Sequence, residues 1–421
     1  MYDAGTSAFM MMCAMLVFLM TPALAFFYGG LSRRKNVVNT MIMAFSTAGV
    51  VGVVWIVAGW SVAYGGDGLS PFVGGLDQLM CPGALVEVVA SESLSDALYP
   101  GVVDVAFQLA FAAISAAIIT GSLAGRMKYA AMVAFVALWC LLVYAPLAHM
   151  VWGGEGSLIG DRIGALDFAG GDVVHISSGL TGLVLAVLLG KRRGFGMMAY
   201  RPHNVPFVLL GTGLLWFGWF GFNAGSAFAA DAVAALALLN TMVAPAAAML
   251  AWMLIERLHA GKVTLVGACT GVVTGLVAIT PAAGFVDVWA AALMGAITAP
   301  VCYGAIAFLK PRLGYDDALD AFGCHAVGGV VGGLLTGVFC VPELSWNNAG
   351  GLLYTCDPSL LTAQVLGILV TVAFVVAATL VMGLALKAVF HGLRVDANEE
   401  GEGLDAHQHG ESAYPSFNGL D

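Results

Sequence analysis

Eleven apolar stretches, each about as long as a helix that crosses a bilayer, follow one another along the chain and leave little room for anything else. Read from hydropathy alone, they fall near residues 8–30, 37–64, 101–125, 128–151, 171–190, 205–229, 234–257, 263–281, 286–309, 322–342 and 361–389. About 20 apolar residues in a helix span a hydrocarbon core of ~30 Å. Inside that core every peptide group needs a partner within the protein, which restricts a crossing segment to a helix or a closed barrel. The composition agrees, with 60% of the 421 residues hydrophobic and only 10% charged, against about 25% charged in ordinary soluble domains. Many of the 55 glycines sit inside these runs, among them Gly179, Gly182, Gly328 and Gly329, where small residues let membrane helices pack closely. The first run has no basic stretch ahead of it, so it reads as a retained helix rather than a cleaved leader.

Charge placement orients the chain. Of the 16 Lys and Arg residues, all but Arg162 lie in one alternating set of loops and helix ends. That set belongs in the cytoplasm, which with eleven crossings puts the N-terminus outside and the C-terminus inside. One missed or invented helix would scramble the alternation. The net charge of −10 and the lack of a basic patch exclude a nucleic-acid partner. The eight cysteines show neither a CxxC pair nor metal-ligand spacing. Cys13, Cys140, Cys269 and Cys302 fall in apolar runs as packing residues. Cys81 and Cys356 share one side of the membrane, as free thiols or as a disulfide.

A short internal repeat singles out two histidines. Gly164-Ala165-Leu166-Asp167 precedes His175, with Gly179 and Gly182 after it; Asp317-Ala318-Leu319-Asp320 precedes His325, with Gly328, Gly329 and Gly332 after it. The two histidines fall on the fifth and tenth helices. Two five-helix units in sequence must be inverted relative to each other, so the expected architecture is an inverted repeat of helices 1–5 and 6–10 plus helix 11. Inverted repeats place the substrate path between the halves near the midplane. An ionisable residue inside a span is a functional candidate, and a symmetry-related pair would meet there. Asp167 lies two turns ahead of His175, where it can cap the fifth helix and hold an outer vestibule in shape. Trp152 ends the fourth helix on the outer side, where its ring face can attract a cation at about 0.5–2 kcal/mol. Phe222 and the hydroxyl of Ser226 end the sixth. By spacing alone, none of these last three differs from a packing residue.

At this point the residues resemble a known family. Phe26-Phe27-Tyr28-Gly29-Gly30-Leu31, Ala148-His149-Met150-Val151-Trp152-Gly153-Gly154, Asp167-Phe168-Ala169-Gly170-Gly171, Trp219 through Ser226 and Gly267-Ala268-Cys269-Thr270-Gly271 are similar to the ammonium transporter/Rh family in its bacterial and archaeal form, over nearly the whole chain. The resemblance implies no enzyme and no cofactor, but a homotrimer in the cell membrane with one pore per subunit. By motif position it implies that Phe111 and Phe222 form a stacked phenyl gate. Trp152, Phe111 and Ser226 form an outer ammonium or methylammonium site supported by Asp167. His175 and His325 form the family's twin-histidine pair. One departure is Asp172, where the family more often carries a small hydroxyl residue; a second carboxylate in the pore would trap the cation, so Asp172 is expected at a subunit contact.

The chemistry suits that assignment. Ammonium and potassium are alike in size and charge, but only ammonium donates directional hydrogen bonds and can lose a proton. A bare ion in a dry passage meets an idealised Born penalty of about 20 kcal/mol, whereas neutral ammonia meets a polar-group penalty of a few kcal/mol. Two imidazoles in contact share their titration and can relay the proton that ammonium sheds. Beyond Arg394 the composition turns acidic, and charge alone reads residues 395–421 as a solvated, partly disordered tail. Glu402-Gly403-Leu404-Asp405 with His409-Gly410-Glu411-Ser412-Ala413-Tyr414 resembles the family's cytoplasmic motif, which implies an ordered regulatory element serving a PII-type signal protein. The domains expected are therefore a transporter unit over 1–394 and this tail. Two rivals stand beside transport. An ammonium receptor would lose pore residues, and no signalling domain follows the tail. A membrane cytochrome would need His175 and His325 as haem ligands, and the chain offers no second buried pair.

Overall fold

The computed structural model describes residues 2–66, 68–83, 98–197 and 200–415. Among them are eleven helices long and apolar enough to cross a membrane: α1 (Ala4–Leu31), α2 (Arg34–Tyr64), α3 (Gly101–Leu123), α4 (Tyr129–Trp152), α5 (Gly171–Leu189), α6 (Val205–Gly225), α7 (Ala232–His259), α8 (Leu265–Ala282), α9 (Val288–Leu313), α10 (Phe322–Phe339) and α11 (Ser359–Val389). The described residues contain no β-strand. The expected spans recur with shifts at their ends that have local causes. α1 starts earlier than hydropathy suggested because Asp3 caps it, accepting from the Thr6 amide at 2.6 Å. α6 ends at Gly225 rather than near 229, because Phe228 takes a left-handed φ of 54° that no helix continues through.

Close approach of the two halves depends on particular glycines. Along the α1–α6 contact, a Cβ on Gly218 would stand 2.4 Å from Met20 Cγ, and one on Gly221 would stand 2.6 Å from Leu16 Cβ. The α5–α10 crossing shows the same device reciprocally. Gly179, one turn past His175, lies against the backbone of Ala326, where a Cβ would be 2.5 Å from the Ala326 nitrogen. Gly329, one turn past His325, lies against Ile176, where a Cβ would be 2.9 Å from Ile176 Cγ1. Each histidine thus has a glycine one turn later that admits the other helix. This is the inverted repeat expressed in packing, and it brings the two imidazoles to one place.

Both histidines also sit in widened, π-helical turns, Gly171–Ile176 and Phe322–Ala326. Such turns inside α-helices are frequent at functional sites. α11 packs across α5 and α10. Cys81 and Cys356 are both free, so the disulfide alternative falls away.

The acidic tail is not the solvated segment its charge suggested. Its residues up to 415 include a short helix, α12 (Ala397–Glu402), and fold onto the basic end of the bundle. Glu400 pairs with Arg394 at 2.7 Å and accepts from the Arg193 amide at 2.7 Å. Asp405 accepts from the Asn39 amide at 2.8 Å, and Leu404 is fully buried. Lys35 donates to the Gly401 carbonyl. Composition counts these acids as repulsive; their partners lie on α2, on the α5–α6 loop and at the end of α11.

Candidate functional site

Two aromatic rings divide the interior of the bundle into an open outer chamber and a narrow inner lumen. Phe111 of α3 and Phe222 of α6 stack with centroids 3.9 Å apart and planes 19° apart, and both are buried. Above them opens a vestibule of about 730 Å³ lined by Phe111, Trp152 and Ser226, among others. Trp152 meets Phe111 edge to face, 6.3 Å between centroids. The Ser226 hydroxyl donates to the Phe222 carbonyl at 2.9 Å, which leaves its oxygen lone pairs available to the chamber.

Asp167 does not line this chamber. It is 2% exposed, and its carboxylate is occupied by the start of α5. Oδ1 accepts from the amides of Gly170 (2.8 Å) and Gly171 (2.6 Å), and Oδ2 from those of Asp172 (2.8 Å) and Val173 (3.4 Å). Four amides that a helix start leaves without partners converge on one side chain, whose charge also suits the positive end of the helix dipole. The Asp167 backbone carbonyl accepts from the Trp152 indole at 2.8 Å. Asp167 therefore sets both the entry of the histidine helix and the angle of the vestibule tryptophan.

Below the rings, His175 and His325 meet. Their Nδ1 atoms are 3.2 Å apart, with centroids separated by 5.3 Å. The His175 ring stacks on Trp219 (5.4 Å, 24°) and stands 6.2 Å from the Phe222 ring. A cavity of about 10 Å³ remains around the pair, walled by apolar side chains such as Leu24, Ile114, Ile118 and Val273. That is near the least space a water needs. The Trp219 indole donates to Thr280 at 2.9 Å, which locks the ring that locks His175. Trp219 and the aliphatic walls had no individual signal in the sequence, since a Trp or Ile in a span is ordinary. Only the run from Trp219 to Ser226 marked that stretch.

Asp172 lies behind the lumen, beside α11. It is 7% exposed within the single chain, and its Oδ2 stands 4.0 Å from where a Cβ on Gly367 of α11 would lie. It is enclosed by α11 and is not among the residues that line the inner lumen.

The model of the Ammonium Transporter Family matches residues 8–414. The chain belongs to the ammonium transporter family. It is 49% identical to the ammonium transporter of Aquifex aeolicus over 413 residues, covering 98% of this chain and 94% of that protein. Among solved structures it resembles Mep2 of Saccharomyces cerevisiae, with a TM-score of 0.85 at 35% identity over 94% of this chain and 88% of that one. It also resembles a protein described as a sensor Amt protein, with a TM-score of 0.87 at 27% identity over 96% of this chain and 98% of that one. This is a family of membrane transporters, not enzymes, and membership agrees with eleven crossings and with ammonium transport as the family's activity.

Proposed function

We propose that this family member recruits ammonium as a cation in the outer vestibule, strips it of a proton at the phenyl pair and passes ammonia inward, with the proton following along the imidazoles. Trp152 and Phe111 offer ring faces and Ser226 an oxygen acceptor to the cation. Phe111 and Phe222 form the gate, and Asp167 holds the site in shape from behind. His175 and His325 supply the only ionisable groups lining the inner lumen among the described residues. The observation that carries this reading is the 3.2 Å Nδ1–Nδ1 contact inside an apolar, nearly water-free cavity. There a cation would be stripped of solvent and meet no countercharge, whereas ammonia needs only one acceptor or donor, which either ring provides. Potassium has no neutral form to use the same passage.

The test is methylammonium uptake with current recording in proteoliposomes, for the wild type and His175→Ala. Uptake accompanied by charge, falling at least ~10-fold in the variant, is the expected result; a transition-state interaction of about 1.4 kcal/mol corresponds to that factor. Uptake without associated charge rules out the following proton. Unchanged flux in His175→Ala removes the imidazoles from the path.

The likeness to a sensor Amt protein motivates a second reading, ammonium reception with little transport. It predicts ligand-dependent change at the tail with negligible wild-type uptake. We further propose that residues 1–394 act as the transport unit and 395–421 as a regulatory tail. The protein then works as a homotrimer in the cell membrane, and the tail-covered face receives a PII-type signal protein. The packing of Glu400, Leu404 and Asp405 onto the bundle supports an element that reports the state of the inner face.

A further inference from the structure

The outer vestibule holds polar atoms that the site described above does not use. Asp104, Gln108 and Phe111 follow one another at i, i+4 and i+7 on α3, so they form one stripe along the helix face. All three line the vestibule, with Asp104 toward the mouth and Phe111 at the gate. Tyr64, the last residue of α2, lines the same chamber. Gln108 is 5% exposed and its Oε1 has no hydrogen-bond partner among the described residues. The same holds for Asp104 Oδ1 and the Tyr64 hydroxyl, both buried atoms.

The other vestibule carboxylates are engaged. Asp161 accepts from the Gly156 amide at 2.7 Å, and Asp231 caps α7 by accepting from the Ala234 amide at 2.9 Å. Buried polar atoms are normally paired, so three unpaired oxygens on residues that line one cavity leave acceptor capacity for a hydrogen-bond donor. One of them belongs to a carboxylate, so that capacity favours a donor that is also a cation.

We propose that Asp104, Gln108 and Tyr64 form an accessory binding site for a small alkylammonium or ammonium cation, one step outside the Trp152–Phe111–Ser226 site. The step carries the proposed transport reading further, because it places a filled cation position directly uphill of the gate. A carboxylate raises the local concentration of any monovalent cation, whereas the amide and phenol oxygens accept hydrogen bonds and favour one that donates. The stripe then hands the ion along α3 from charge to amide to ring face.

Thermal-shift titration of the purified protein tests this without requiring transport. Ammonium chloride is titrated against a choline chloride background that keeps ionic strength fixed, and methylammonium uptake is measured in parallel. In Asp104→Asn the half-effect concentration and the half-saturation of uptake should both rise about three- to tenfold, with a smaller loss of maximal rate. Asp104→Glu should stay within about twofold of wild type. Tyr64→Phe, which keeps the ring, should shift the titration about two- to threefold and serves if Asp104→Asn does not fold. An Asp104→Asn titration that superimposes on wild type overturns the site, as does an unshifted Tyr64→Phe. Absent wild-type uptake with a shifted Asp104→Asn titration would sink the transport reading and leave the site standing.

Discussion

Asp167 and Asp317 each lie eight residues ahead of a lumen histidine, and each accepts at 2.8 Å through Oδ2 from the amide five residues further on, Asp172 and Phe322 respectively. Around this shared plan the two ends of the path are built differently. At the outer end Asp167 gathers three further amides, and the vestibule beside it is wide and carries no buried ion pair among the described residues. At the inner end Asp317 takes one further donor, the Ser122 hydroxyl at 2.7 Å. It is flanked by ion pairs, Arg192–Asp316 and Lys310–Asp320, both at 2.6 Å. The outer half spends its carboxylate on backbone geometry and keeps the chamber open. The inner half surrounds the same turn with cations, each matched to an acid.

The difference can be broken most forcefully at the aspartates. Asp167→Ala leaves four buried amides without an acceptor, each costing about 1–3 kcal/mol, for a total on the order of 5 kcal/mol or more. Asp317→Ala strands one amide and one hydroxyl, half as many groups, for about 2–6 kcal/mol on the same scale. We expect Asp167→Ala to lose uptake altogether and to melt well below Asp317→Ala in detergent. Equal losses would mean that the halves are as alike in energetics as in sequence.

A second test sharpens the inner end. Arg192 binds both Asp316 oxygens, with Nε at 2.9 and 3.1 Å and Nη2 at 2.6 Å, and the Asp316 side chain is fully buried. Burial opposes the Asp316 charge, but the Arg192 contacts and the nearby Arg126 outweigh it and hold the carboxyl below its usual range. Arg192→Ala would leave that charge with only the residue-192 backbone amide and the nearby Arg126, at a cost of up to about 3–5 kcal/mol. The melting midpoint should drop while the half-saturation of uptake, set outside, moves little. A large change in half-saturation would show the two ends to be coupled.

The outer and inner ends were not equally legible in the sequence. Eleven crossings could be read because a span demands about 20 apolar residues, a signal that tertiary context cannot erase. The histidines could be paired because a repeat puts them on equivalent helices. The register of that repeat was not readable. Matching Ala-Leu-Asp to Ala-Leu-Asp equates Asp167 with Asp320, whereas hydrogen bonding equates it with Asp317. Three letters cannot say which of two nearby acids reaches an amide. The tail misled for a related reason: net charge sums acids that each have a separate partner.

That tail supplies the smallest effect and the last contrast, since among the described residues it folds onto the inner end alone. His409 rests edge to face on Tyr129 at 5.1 Å, and the Asn39 side-chain amide lies 3.0 Å from its Nε2. This arrangement uses an unprotonated ring nitrogen as acceptor. Burial pulls the His409 pKa down, with Asp405 and Glu411 opposing it more weakly. A histidine whose docked value lies below its free value, near 6.5, contributes docking stability that is complete above the free value. The contribution is lost as the pH falls through 6.5 toward the docked value, because the undocked tail then takes up the proton first. Asp405, pushed up by burial despite its backbone hydrogen bonds, acts in the opposite sense, but lower on the scale where carboxyls titrate. Hydrogen exchange of the amides in 404–409, corrected for the intrinsic rate, should therefore lose protection severalfold between pH 7.5 and about 5.5. His409→Gln, which cannot titrate, should flatten the profile. A wild-type profile already flat would mean that the ring is held by packing on Tyr129 alone, leaving the inner end closed by Glu400 and its arginines.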